Sequence, residues 1–226
     1  MAYLLHIETA TTNCSVALSQ NGNLVQCIEN NEPDFRHSDY LHLFIEKLLS
    51  KAQVEPKQLS GVTVSMGPGS YTGLRIGVSA AKGLCYANDI PLIAVNSLEV
   101  LAASYSSKES DVLIPMFDAR RMEVYALVLN AQKQILQPTH AAIITPESFQ
   151  EFENKGRLVF FGTGAEKCKK IISLTNCHYV DDIQYPSARH MITLATAKFE
   201  ANEIEDVAYF EPFYLKDFHT NMPKVK

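Results

Sequence analysis

The stretch Ser65-Met66-Gly67-Pro68-Gly69-Ser70-Tyr71-Thr72-Gly73-Leu74-Arg75-Ile76-Gly77 holds the residue types best suited to chemistry: it leaves an apolar run through a Gly-Pro-Gly turn and enters a helical pattern. A helix that starts this way presents unpaired backbone N–H groups and the positive end of its dipole, which suits a phosphate or carboxylate. Gly67, Gly69, Ser70 and Thr72 are the candidate anion or nucleotide contacts. Thr9, Thr11 and Thr12, in Glu8-Thr9-Ala10-Thr11-Thr12, add a second hydroxyl-rich turn. The competing reading is structural. Gly67 and Gly69 then supply turn geometry only, while Gly73, Gly77 and Ala81, at i, i+4 and i+8, form a small-residue ridge against another helix. A mid-helix glycine costs ~1 kcal/mol relative to alanine, so two in one helix argue for close backbone approach.

Other reactive side chains are scattered. His37 and His42 are five apart, about 140° around a helix, and neither belongs to an H-E-x-x-H pair. The cysteines Cys14, Cys27, Cys85, Cys168 and Cys177 include no C-x-x-C and mostly sit in apolar segments, which reads as reduced, packed thiols. A net charge of −5 argues against a protein that holds nucleic acid unaided, because such binding neutralises phosphates with clustered Lys and Arg. Lys167, Lys169 and Lys170 form a short basic cluster that reads as a solvated helix face. No stretch approaches the roughly 20 apolar residues of a membrane-spanning helix, and Met1 to Ile7 lacks the basic end and long apolar run of a signal peptide. The expected location is the cytoplasm, with no membrane contact.

These residues need elements to place them. Apolar runs predict strands over 3–9, 14–19 and 24–29, the last two joined by Asn21-Gly22, a hairpin signal. Leu41, Phe44, Ile45, Leu48, Leu49 and Ala52 follow helical spacing, and Val62 to Ser65 reads as a buried strand. A helix over Tyr71 to Ala87 and a strand over Leu92 to Val95 follow, and Asn96 with Glu99 forms a capping box for a third helix. The order returns as strands over 112–118, 123–129 and 133–138, a helix from Pro146, a strand over 158–161, a helix from Gly164, a strand near 178 and a helix over 188–201. The expected α/β fold is thus two βββαβαβα lobes, 1–106 and 107–226, the second carrying a C-terminal tail. That duplication is the architecture of the actin-like ATPase (ASKHA, ribonuclease H-like) superfamily, whose lobes face each other across a nucleotide cleft. Function must still be argued from sites.

Gly67-Pro-Gly-Ser-Tyr-Thr-Gly-Leu-Arg-Ile-Gly, together with Leu5-His-Ile-Glu-Thr-Ala-Thr-Thr-Asn-Cys-Ser-Val-Ala-Leu18 and Asp118-Ala-Arg-Arg-Met-Glu-Val-Tyr125, resembles the bacterial TsaB family of tRNA threonylcarbamoyladenosine biosynthesis proteins. The likeness runs to about Tyr125 and returns in Pro212-Phe-Tyr-Leu-Lys216; between them it rests on element order and Gly162-Thr-Gly164-Ala165. The resemblance implies a non-catalytic partner of TsaD, the relative that transfers a threonylcarbamoyl group to the adenosine beside the anticodon. It also implies the ATPase TsaE as a further partner and tRNA engaged only through the complex. TsaD carries its metal on an H-x-x-x-H after a Val-Asn pair, and on an aspartate. Here Val95-Asn96-Ser97-Leu98-Glu99-Val100-Leu101 puts Ser97 and Leu101 at the histidine positions, where neither holds a divalent metal as imidazole does. Pro186-Ser187-Ala188 falls near the aspartate. No metal and no required cofactor are therefore expected in this chain, with ATP or ADP bound in the complex.

Nucleotide-binding members of the superfamily use the first hairpin's acidic residue and small turn to hold phosphate and metal. Glu8 departs from the family's usual Asp, and Asp118-Ala119-Arg120-Arg121 replaces a Gly-bearing second phosphate loop. On the first helix, Tyr40 and Leu43 add an apolar flank beside Leu41, Phe44, Ile45 and Leu48, and a second apolar face suggests a second neighbour. The resemblance implies a four-helix interface with TsaD, built from Tyr40, Leu43 and Phe44 and from Gly73, Leu74, Gly77, Val78 and Ala81. A homodimer through the same surface is the substitute, and burial of both flanks inside the lobe the alternative. The rival functions are an ATP-dependent small-molecule kinase or a metallopeptidase of the same fold, opposed by Arg120-Arg121 and by Ser97 with Leu101, and a purely self-associating structural protein.

Overall fold

The structure, a computed structural model, describes residues 2–32 and 37–216. Strands β1 (Tyr3–Glu8), β2 (Cys14–Gln20), β3 (Asn23–Asn30), β4 (Leu59–Gly67) and β5 (Leu92–Asn96) form one sheet in the order β3-β2-β1-β4-β5. β1 runs antiparallel to β2 and parallel to β4. Asn21 (φ 49°) and Gly22 (φ 77°) close the β2–β3 hairpin, both in the left-handed region that a two-residue turn of this hand requires. Strands β6 (Asp111–Asp118), β7 (Glu123–Asn130), β8 (Ile135–Ile143), β9 (Arg157–Phe161) and β10 (Cys177–Val180) form a second sheet in the order β10-β9-β6-β7-β8. Each sheet thus sets its own third, second, first, fourth and fifth strands side by side, which is the duplicated actin-like unit.

Alternation along the strands assigns the faces. Leu5, Ile7, Val16, Leu18, Val62 and Val64 pack against helix α1 (His37–Ala52), through Leu41, Ile45 and Leu48, and helix α2 (Tyr71–Asn88), through Val78 and Ala81. The opposite face offers Leu4, Ala17, Ile93 and Val95, covered by Ala188 and Met191 with Leu194 of helix α5 (Ile192–Glu200). In the second sheet Ile114, Met116, Val124 and Phe160 pack on Phe149, Phe152 and helix α4 (Ala165–Lys169), while Leu113, Phe117, Leu127 and Phe161 receive Leu98 and Leu101 of helix α3 (Ser97–Ala103). A helix that follows the first sheet therefore covers the second, and the last helix among the described residues covers the first.

Two elements differ from expectation. The helix expected from Pro146 is a set of turns ending in a 3-10 turn, Gln150–Lys155. Phe149 sits at φ 69°, so an α-helix from Pro146 cannot run through it; Phe149 and Phe152, three apart, share a face in the tighter turn and fill the core. The last helix likewise opens as a 3-10 turn, Ala188–Met191, before α5. Asn96 caps α3, its side chain accepting from Leu98 N–H at 2.9 Å, but Glu99 does not complete the expected box.

Candidate functional site

A cleft of about 1450 Å³ separates the lobes, with the β1–β2 loop and the start of α2 on one wall and the β6–β7 turn on the other. The first wall is assembled by glycine. Ser70 N–H donates to Ala10 O at 2.7 Å, and the Ser70 hydroxyl caps α2 by accepting from Gly73 N–H at 3.2 Å. A Cβ on Gly69 would stand 2.3 Å from Ala10 O, one on Gly73 2.2 Å from Thr9 O, and one on Gly77 2.2 Å from Thr9 Oγ1. Thr9 Oγ1 donates to Gly73 O at 2.8 Å. The ridge expected to meet another helix instead seats α2 on the β1–β2 loop.

Of the candidate anion contacts, Thr11, Thr12, Gly69, Ser70 and Thr72 line the cleft. Thr9 and Gly67 are buried behind it; Gly67, at φ 111°, donates its N–H to Ser97 Oγ at 3.1 Å. Thr12 Oγ1 donates to Asn31 Oδ1 at 2.6 Å. His37, at the start of α1, lies 2.6 Å from Thr11 O through Nε2, and since a carbonyl can only accept, Nε2 carries the proton. Glu8 does not reach the cleft. Its carboxyl is buried, accepts from Ala10 N–H at 2.7 Å, and is pushed up to about 7 by burial, against the lowering effect of bonds from Ala10, Ser65 and Thr9. A half-neutral carboxyl facing its own chain is a poor holder of metal or phosphate.

On the second wall Arg120 (φ 68°) and Arg121 (φ 49°) turn through the left-handed region, and both side chains are exposed along the cleft. Asp118 Oδ1 accepts from Arg120 N–H at 2.6 Å and pairs with Lys167 Nζ at 3.0 Å. Lys167 also donates to Arg121 O at 3.1 Å and Glu123 O at 2.5 Å. Only 17% exposed, Lys167 staples this turn and is not the solvated residue its basic neighbours suggested. Asp118 is thereby occupied, leaving the two guanidinium groups as the outward charge.

The positions matching the relative's metal ligands do other work. Ser97 accepts from Gly67 N–H, and Leu101 is buried in the core between the lobes. Ser187 Oγ donates to Glu29 Oε2 at 2.5 Å, and Ala188 N–H donates to Ser15 Oγ at 3.0 Å. These donors do not fit a divalent ion, and among the described residues no group of three His, Cys, Asp or Glu is placed to hold one. The cysteines are free thiols; burial pushes Cys14 and Cys168 up to about 12 and Cys85 to about 11, away from thiolate chemistry.

On α1, Tyr40 and Leu43 are 40% and 54% exposed and Phe44 is half-buried. On α2, by contrast, Gly73, Leu74, Gly77, Val78 and Ala81 are buried within the chain's own core. The face α2 turns outward carries Thr72, Arg75, Ser79, Gly83 and Tyr86. A Cβ on Gly83 would meet nothing within 4 Å, and Tyr86 is 86% exposed. Sequence reading missed this face; its signal was a third helical glycine outside the Gly73, Gly77, Ala81 spacing.

The family model for TsaD, tRNA N6-adenosine threonylcarbamoyltransferase, matches residues 33–224. The Haemophilus influenzae tRNA threonylcarbamoyladenosine biosynthesis protein TsaB is 26% identical over 95% of this chain and 93% of its own length. The Bacillus subtilis protein of that name is 46% identical over 41% of this chain and 40% of its own, so that alignment spans less than half of either. A solved Pseudomonas aeruginosa structure, described as similar to peptidase YeaZ, superposes with a TM-score of 0.83 at 25% identity, covering 96% of this chain and all of that one. With the duplicated fold and the Gly-Pro-Gly entry to α2, these matches place the chain in the TsaD family, on its TsaB branch of tRNA threonylcarbamoyladenosine biosynthesis proteins.

Proposed function

We propose that this chain is a non-catalytic subunit of the machinery that adds a threonylcarbamoyl group to the adenosine beside the anticodon of tRNA, where it binds and activates a TsaD-type catalytic subunit. The observation that carries the reading is the family match combined with Ser97 and Leu101: the chain keeps the fold and has given the metal-ligand positions to a turn and a core. Its effect is on an equilibrium, since a partner that binds the competent arrangement of the catalytic subunit more tightly than the other raises its population.

The partner surface in this reading is the outward face of α1 and α2. Tyr40, Leu43 and Tyr86 supply exposed apolar area, and open Gly83 admits a helix at close range. A second copy of this chain is the other occupant of that face. A TsaE-type ATPase completes the complex in the cytoplasm, and tRNA reaches this chain only through it. The chain needs no cofactor of its own; ATP or ADP belongs to the complex, with Thr11, Thr12, Ser70 and Thr72 as the contacts this wall offers. Turnover of ATP in its own cleft is disfavoured by the inward-facing Glu8 and by Arg120 and Arg121.

The test is reconstitution of threonylcarbamoyl transfer to tRNA with the TsaD-type and TsaE-type proteins of the same organism, omitting each in turn. Transfer should fail when this chain alone is missing. Full transfer without it would overturn the reading, and ATP consumption by the isolated chain would favour a kinase.

A further inference from the structure

The last described residues run back over both lobes. Glu205 N–H donates to Leu92 O at 2.8 Å, a bridge onto β5. Lys82 of α2 then holds the backbone through Ala208 O and Phe210 O, both at 3.1 Å. Phe213 N–H donates to Met66 O at 2.7 Å, and a Cβ on Gly67 would lie 2.8 Å from Phe213 O, so the seat of this segment requires glycine. The Tyr214 ring lies 5.0 Å from the Tyr71 ring, and its hydroxyl accepts from Arg75 Nε at 3.3 Å. Leu215 and Lys216 then line the cleft itself. Lys216 Nζ donates to Ala119 O at 3.3 Å, pairs with Glu123 and stands 5.7 Å from the Tyr125 ring, so every one of these contacts is on the second lobe.

One segment thus grips the first turn of α2 and the turn facing it across the cleft. Its ties differ in kind from the lobes' apolar contact. Leu98 and Leu101 are packed under the second sheet and Ala188 and Met191 under the first, all buried. The Lys216–Glu123 pair is about one-third exposed on each side. Buried apolar packing responds little to salt, whereas an ion pair that water reaches on one side weakens, less steeply than a fully exposed one, as the screening length falls from ~10 Å at 0.1 M to ~3 Å at 1 M.

We propose that residues 205–216 are a strap that sets the width of the cleft, with Lys216 as its catch on the second lobe. With the catch closed, the β6–β7 turn is held opposite the start of α2. Released, the lobes are joined by their buried packing and by the polar contacts remote from this turn, such as Asn96 Nδ2 to Thr139 Oγ1 at 2.9 Å, and the cleft opens.

The test measures cleft width directly on the full chain. Spin labels on Ser38→Cys and Arg121→Cys, one on each wall, are introduced in a Cys27→Ser, Cys177→Ser background that removes the half-buried thiols. Lys216→Ala should lengthen and broaden the distance distribution, Lys216→Arg should keep the parent's, and 1 M salt should move the parent toward Lys216→Ala. Tyr214→Ala, which frees the end of the strap from the start of α2 at Tyr71 and Arg75, should give the same opening. Distributions unchanged in both Lys216→Ala and Tyr214→Ala would show that the remaining contacts between the lobes fix the cleft and would overturn the proposal.

Discussion

Glu8 and His6 lie two residues apart on β1, on the same side of the strand, and are buried with opposite consequences. Burial keeps Glu8 protonated up to about 7, whereas the unfolded chain releases that proton in the ordinary carboxylate range. Between those values the folded state binds more proton, so stability falls as pH rises, and the slope ends above about 7. The difference is worth roughly 3 kcal/mol. His6, whose Nε2 is 2.8 Å from Ser19 Oγ, is held neutral down to about 3, so its contribution runs the other way and is lost as pH drops below the ordinary histidine range. The two slopes oppose each other in mildly acid solution. Comparison of Glu8→Gln with the parent isolates one of them: the variant's advantage in Tm should be absent near pH 4.5 and grow until about pH 7. A constant difference across that range would place the titration elsewhere.

α2 has two sides with opposite tolerance for a methyl group. On the inner side, Gly77→Ala drives a Cβ into Thr9 Oγ1 and Gly73→Ala drives one into a backbone carbonyl, so each should cost about 1–3 kcal/mol in chemical denaturation. On the outer side, Gly83→Ala meets open space and should stabilise by up to ~1 kcal/mol through helix propensity. Gly83→Phe, folded equally well, should weaken association with a TsaD-type partner by roughly tenfold in a titration, and unaltered affinity would move the interface off this helix. The elements themselves were unevenly legible. α1 and α2 declare themselves because their apolar spacing persists over several turns, and the Asn21-Gly22 turn has one good conformation. The 3-10 turn at Gln150–Lys155 stands where a helix from Pro146 is expected, since Phe149 and Phe152 satisfy either spacing and nothing local reveals that Phe149 adopts a positive φ.

At the scale of the whole molecule, the lobes are joined by exchanged packing. Leu101 of α3 touches the second sheet's core, so Leu101→Ala should cost about 3 kcal/mol and still give one cooperative transition, since neither sheet is covered by its own half alone. Two transitions in calorimetry would contradict that coupling. The cleft was legible through the hydroxyl-rich hairpin and the Gly-Pro-Gly turn, whose chemistry is local. On the second wall only the turn Asp118 to Arg121 was legible: the stapling by Lys167 and the contacts of Tyr214 and Lys216 join residues far apart in sequence, and only the folded topology brings them together.

The same exchange has a consequence for biosynthesis. A ribosome releases the first sheet long before Ala188, Met191 and Leu194, the residues that cover one of its faces. Leu4, Ala17, Ile93 and Val95 therefore wait uncovered while nearly a hundred further residues are polymerised, an interval of roughly 5–20 s at ordinary elongation rates. A nascent chain arrested near residue 150 would expose that face as a sticky surface, and chaperone occupancy should peak there and fall once the last helix emerges.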